Sequence, residues 1–264
     1  MAPPILVTIA TQRSGTKFLG ACLNGGDAVR SFSEPFKPPP PTSPFAAFAV
    51  AWMARQPGFA FRDTEIAAML DAFLDTLAAE AAAQGRIAHL DVMYNNLGAF
   101  TGAWTWPVRP AGESTLCRVL RARGARIIHL VRDSLADCVA STLIAEQRGY
   151  HRRTPLPPGD PALRLTADLA AAERQMRDIL AARAFVRRAF RGHDAWVELA
   201  YPDFIDGQAL APQAAARLAG LAGLPAGRAV AGPCPLHPTA PDRAMVVTNW
   251  DALVALEARM RAAG

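Results

Sequence analysis

The chain has 264 residues, 51% hydrophobic and 19% charged, which supplies a sizeable core and excludes a mainly disordered protein. Its formal net charge is +5, with no basic tail or stripe, which favours a small anionic ligand over a nucleic-acid groove. No apolar run reaches the roughly 18 residues of a membrane span, so no transmembrane segment is expected.

Ile5–Ala10 is an unbroken apolar run without alternation, as expected of a strand buried on both faces of a parallel sheet. It is too brief for a signal-peptide core. Residues 11–15 break it, and 16–23 then follow helical spacing until Asn24-Gly25-Gly26-Asp27 stops them. A second strand is expected over 29–33, ending at Glu34. Residues 35–44 carry six prolines and read as a stiff, extended loop. The longest apolar run, 45–54, stops at Arg55 and reads as a buried helix. The clearest helix is 64–84, with Thr64 as cap and Ile66, Met69, Leu70, Phe73, Leu74 and Leu77 on one face.

Strands are expected at 86–93 and 125–131, the second preceded by a helix at 113–122 and followed by one at 134–147. A Pro- and Arg-rich loop spans 150–161, and a long helix 163–191. A fifth strand, 195–200, leads to a helix at 211–222, a Gly/Pro-rich loop at 223–241 and a terminal helix at 249–261. Strands alternating with helices predict an α/β fold. The expected form is one domain, 1–264, a P-loop-like three-layer sandwich around a mostly parallel sheet of about five strands. Cys22, Cys117, Cys138 and Cys234 are scattered, without a C-x-x-C pair or a His at ligand spacing. Free thiols in a cytoplasmic protein are expected, and no metal is implied.

The sharpest local signal is Thr11-Gln12-Arg13-Ser14-Gly15-Thr16-Lys17 between the first strand and first helix. A helix start aims backbone N–H groups and a positive dipole end at one point, a natural anion site. Gly15 permits close backbone approach. Ser14 and Thr16 offer hydroxyls, and Arg13 and Lys17 offer charge. Lys17 and Lys37 are the only lysines. The Walker A pattern is not met: there is no leading glycine, and Thr16 follows Gly15 where Lys is required. That argues against an ATPase or GTPase.

Strand, Thr-x-Arg-Ser-Gly-Thr, helix resembles the 5′-phosphosulfate loop of sulfotransferases. Ile127-Ile128-His129-Leu130-Val131-Arg132-Asp133, followed by Ser141, is similar to the family's 3′-phosphate signature, about 120 residues downstream. Leu90-Asp91-Val92-Met93-Tyr94-Asn95, the run 141–151 and Leu199-Ala200-Tyr201-Pro202-Asp203-Phe204 resemble the bacterial branch with trehalose and lipopolysaccharide-type enzymes. The resemblance spans roughly 5–205, and more weakly the region around Asn249-Trp250-Asp251. Arg132 and Ser141 lie nine positions apart, where many members have eight, so Ser134 is a second candidate. The cytosolic eukaryotic enzymes usually carry Lys at Arg13 and a catalytic His with no counterpart found here.

The resemblance implies 3′-phosphoadenosine 5′-phosphosulfate (PAPS) as co-substrate, with no metal. Ser14, Gly15, Thr16 and Lys17 would cradle its 5′-phosphate, Arg13 would face the leaving oxygen, and Arg132 and Ser141 would hold the 3′-phosphate. Glu34, at the carboxyl end of the second strand, is the candidate general base. Asp91 reads as a cap or turn residue, with acceptor positioning as the other role. His129 reads as a satisfied core histidine. The implied acceptor is a small carbohydrate, lipid or similar hydroxyl or amine compound. Phe36, Phe45, Phe48, Trp52 and Phe59 suit an apolar acceptor, a core or a homodimer contact equally. A small-molecule kinase and a non-catalytic nucleotide-binding protein of the same fold are the competing readings.

Overall fold

The structure, a computed structural model, describes residues 4–37, 43–97, 114–148, 164–225, 228–236 and 243–262. Its strands are β1 (Ile5–Ala10), β2 (Val29–Ser31), β3 (Ile87–Met93), β4 (Arg126–Arg132) and β5 (Trp196–Tyr201). They form one parallel sheet in the order β2-β3-β1-β4-β5. A hairpin of β6 (Ile205–Asp206) and β7 (Ala209–Leu210), not among the expected elements, follows β5.

The helices are α1 (Thr16–Gly25), α2 (Pro44–Ala54), α3 (Asp63–Ala82), α4 (Tyr94–Leu97), α5 (Thr115–Ala122), α6 (Leu135–Arg148), α7 (Leu169–Ala189), α8 (Pro212–Leu221) and α9 (Trp250–Ala262). They cover both faces of the sheet, giving three layers. Side chains alternate along β1: Ile5, Val7 and Ile9 join the cluster under α3 and α5, while Leu6 and Ala10 join the one under α1 and α8. Each fully buried aliphatic side chain contributes about 1.5–3 kcal/mol. The predicted face of α3 is buried throughout. A third cluster joins α6, α7 and α9.

Three expectations change. The segment 45–54 is helical but not buried: Phe45 and Ala49 are covered, whereas Val50 is 66% exposed. Only that stripe reaches the aromatic group of Phe36, Phe45, Phe48 and Phe73, in which Phe48 also stacks on Trp52. Thr64 does not cap α3. The longer Glu65 side chain does, with Oε2 accepting the N–H groups of Ala60 and Arg62 at 3.0 and 2.9 Å. Helix α7 begins at Leu169, because Asp168 accepts from Ala170 N–H and Leu165 is paired with Val247 in a bridge to the C-terminal segment.

Among the described residues, no helix is long and apolar enough to cross a membrane. All four cysteines are buried free thiols. Cys22 lies against Cys234, and burial first, then that neighbour, pushes the Cys22 thiol up to about 12.

Candidate functional site

The sheet order reverses at β1, which lies between β3 and β4. Ligands of open α/β sheets bind beyond the carboxyl ends of the strands at such a reversal. Arg13, Glu34 and Arg132 belong to strand ends or turns on this edge, and Asp91 lies in β3 two residues before its end.

The β1–α1 turn is built by backbone conformation. Gly15 precedes the helix in the left-handed region (φ 93°), and no side chain caps α1. A Cβ at Gly15 would stand 2.9 Å from Tyr201 Cδ2 and 3.0 Å from Phe204 Cζ, so this turn requires glycine. The first helical bond runs from Leu19 N–H to the Gly15 carbonyl at 2.9 Å, so the amides of Thr16, Lys17 and Phe18 lack a helical acceptor. There is no acidic residue in this first turn. Arg13 (φ 67°) and Ser33 (φ 58°) are also left-handed, a conformation that costs a non-glycine residue roughly 1–2 kcal/mol. Such strain collects at ligand-binding turns.

Ser14 takes a different part from the one expected. It is fully buried, and its hydroxyl donates to the Thr11 carbonyl at 2.7 Å, so it shapes the turn. Thr16 is 5% exposed at the first helical position.

Arg13 and Ser141 do meet: Arg13 Nε donates to Ser141 Oγ at 3.1 Å. Arg132, 2% exposed, lies beside them. Its Nη1 donates to the Arg13 carbonyl at 3.0 Å, and its guanidinium covers the Tyr201 ring at 4.4 Å. Nη2 stands 3.1 Å from Asp137 Oδ2, an ion pair by distance. Yet neither Nη2 nor Nε has a hydrogen-bond acceptor in line. Arg243 pairs with Asp137 Oδ1 at 3.4 Å, and its buried Nε is likewise without an acceptor. Burial first, then the Arg132 charge, lowers the proton affinity of Arg243. A buried and a partly buried guanidinium, each with buried donors unmet, suit a multivalent anion. Ser134 is not part of this group; its Oγ accepts the Asp137 N–H at 3.0 Å and caps α6. The same helix start is closed by Glu257, whose two oxygens accept from Leu135 and Ala136 at 2.9 and 2.8 Å.

The second group gathers on the α1 face of β3. Lys17 Nζ is 2.7 Å from Glu34 Oε1 and also donates to Ser33 Oγ. Gly20 lets α1 approach this wall; a Cβ there would be 3.1 Å from Ser31 Oγ. Asp91 is no cap or turn residue. It lies inside β3, 1% exposed, with its Oδ1 unpartnered. Burial raises its pKa above the usual carboxylate range, with Lys17 opposing and Glu34 adding to the shift. His89 beneath it bonds Thr8 Oγ1 at 2.8 Å and Ser31 Oγ at 2.9 Å, and burial pulls its pKa down to about 3.

His129 is hydrogen-bonded on both nitrogens, to the Tyr94 hydroxyl at 2.7 Å and Glu198 Oε2 at 2.8 Å. Lys37 is exposed, and its N–H donates to the Glu34 carbonyl at 3.2 Å. Trp104, Trp106, Arg152, Arg153 and His237, and the side chain of Arg148, lie outside the described residues. Sequence reasoning missed Arg243 and Glu257. Each acts across more than 100 positions of sequence, and neither belongs to a local pattern. Among the described residues no group of three or more His, Cys, Asp or Glu is arranged to hold a metal ion. No protein-family model matches the chain and no curated protein matches it in sequence, so its function has to be argued from the chemistry of this edge.

Proposed function

We propose that the chain is a PAPS-dependent sulfotransferase acting on a hydroxyl or amine of a small carbohydrate, lipid or related acceptor. The observation that carries this reading is a pair of cationic anion sites on adjacent strand ends. One is the uncapped β1–α1 turn with Arg13 and Lys17; the other is buried Arg132 with Ser141 and Arg243. A donor with a 5′-phosphosulfate and a 3′-phosphate has an anionic group for each. The absence of the G-K-[ST] sequence on the first turn weighs against a kinase.

In this reading Glu34 takes the proton as the acceptor O–H (or N–H) bond breaks. The acceptor atom forms a new bond to sulfur. The S–O bond to the 5′-phosphate breaks, and its electron pair leaves with the phosphate. Arg13 and the amides of α1 stabilise the charge that builds there. Arg132, Arg243 and Ser141 bind the 3′-phosphate and fix the donor's register.

Calorimetric titration with adenosine 3′,5′-bisphosphate, ADP and ATP–Mg²⁺ tests the reading. Tight, metal-independent binding of the bisphosphate, much weaker for ADP, is expected. Preference for ATP–Mg²⁺ would refute it. With an acceptor in hand, Glu34→Gln should not weaken donor binding and should lower turnover about 10²–10⁴-fold, the usual size of a general-base contribution. A non-catalytic nucleotide-binding protein would show no turnover to lose.

A further inference from the structure

Lys17 stands between two claimants. It projects from the first turn of α1, two positions after Gly15, where the free amides converge. Its ammonium is nevertheless turned to the wall of the site, on Glu34 Oε1 at 2.7 Å and on Ser33 Oγ. Behind that pair Asp91 brings a second carboxyl group that interacts electrostatically with both Lys17 and Glu34. The Lys17 side chain is 32% exposed while that of Glu34 is 13% exposed, so the cation is the freer partner. An ammonium on a flexible stem is a point charge that follows the stronger field, and a phosphate held by helix amides carries more charge than one carboxylate.

We propose that Lys17 is an exchangeable counter-ion, paired with Glu34 until an anion binds the β1–α1 turn and then transferred to that anion, so that filling the turn releases the base. The proposal rests on the sulfotransferase reading for the identity of the anion and for the role of Glu34. It predicts that a carboxylate competes with the donor for one lysine. A base without its counter-ion has the higher proton affinity, so proton removal would become favourable only once the donor is in place.

The test is a double-mutant cycle read by calorimetry with adenosine 3′,5′-bisphosphate on the full chain: wild type, E34Q, K17M and the K17M/E34Q double variant. E34Q should tighten binding about three- to fivefold, the size of a half-exposed ion pair. K17M should weaken it. In the K17M background, E34Q should give no gain. A gain that persists there would mean that Glu34 merely repels phosphate, and the proposal would fall. It would fall equally if E34Q left binding unchanged. Both side chains are partly exposed, so the variants should fold, and matching thermal melts confirm it. If the bisphosphate bound none of the four proteins, the donor assignment would fail separately. The same cycle with inorganic pyrophosphate would then decide the exchange by the same signs.

Discussion

The β1–α1 and β4–α6 junctions share one architecture and differ in what meets their first helical amides. At β1–α1 the turn is held from behind by Ser14 on the Thr11 carbonyl, and no side chain caps the helix. At β4–α6 the amides are taken by Ser134 and by both oxygens of Glu257. The protein supplies its own carboxylate to one helix start and no side-chain cap to the other. The β4 side therefore presents guanidinium groups, and the β1 side backbone amides. A strand–loop–helix start is thus no anion site until its amides are accounted for.

The comparison can be broken most severely at Glu257. Glu257→Ala leaves two buried amides without acceptors and should cost about 3 kcal/mol, seen as a lower urea midpoint, since hydrogen bonds to a charged group are worth about 1.5–3 kcal/mol each. Glu257→Gln keeps the shape and should recover part of that. Next comes Gly15→Ala, which forces a side chain into a left-handed turn against Tyr201 and Phe204. It should cost about 2 kcal/mol and weaken bisphosphate binding at least about tenfold. Gly124→Ala is its control: the φ is also positive (64°), but nothing lies within 4 Å, so only the backbone penalty applies. Ser14→Ala should cost about 1 kcal/mol in the same urea experiment, the worth of one neutral hydrogen bond.

The smallest differences at neutral pH grow on acidification. The histidine behind each junction has a different partner. His89 meets hydroxyls, and its folded pKa is lowered from 6.5 to about 3 by burial. The unfolded chain takes that proton near pH 6.5 and the folded chain does not. Stability is therefore lost as pH falls from about 6.5 to about 3. On the β4 side, Glu198 is lowered from 4.5 to about 2, mainly by the hydrogen bond from His129, with burial opposing. Its contribution is complete above pH 4.5 and disappears as pH falls towards 2. Thermal melts across pH should thus show an early phase that H89N flattens and a late phase that E198Q flattens. A single phase confined below pH 4.5 would contradict the assignment of the early phase to His89.

Much of this edge was legible because its signals are local. The apolar run of β1, the Ser-Gly-Thr turn after it and the run before Arg132 each lie within a few positions. The strand–helix alternation was enough to order the layers. Glu34 was expected to end the second strand; β2 stops at Ser31, and Glu34 lies three residues beyond it. Asp91 was misread because an acidic residue near a strand terminus usually faces water or a cap. Here its side chain turns inward, to the face that α1 covers, with Lys17 nearby. Ser14 was read as a ligand hydroxyl because its short bond to Thr11 exists only in the folded turn. Glu257 and Arg243 were invisible for another reason. They reach the site through the packing of the C-terminal segment on α6 and α7, which no spacing rule encodes.

The bond from Arg132 to the Arg13 carbonyl has a consequence for selectivity. It pins the buried Arg132 side chain to the main chain of the β1–α1 turn, across neighbouring strands about 4.8 Å apart. Under the proposed function, the spacing between the two ends depends on this one guanidinium orientation on a fixed sheet. A donor of the proposed kind with a longer or shorter bridge between its charges would then fit one end at the expense of the other.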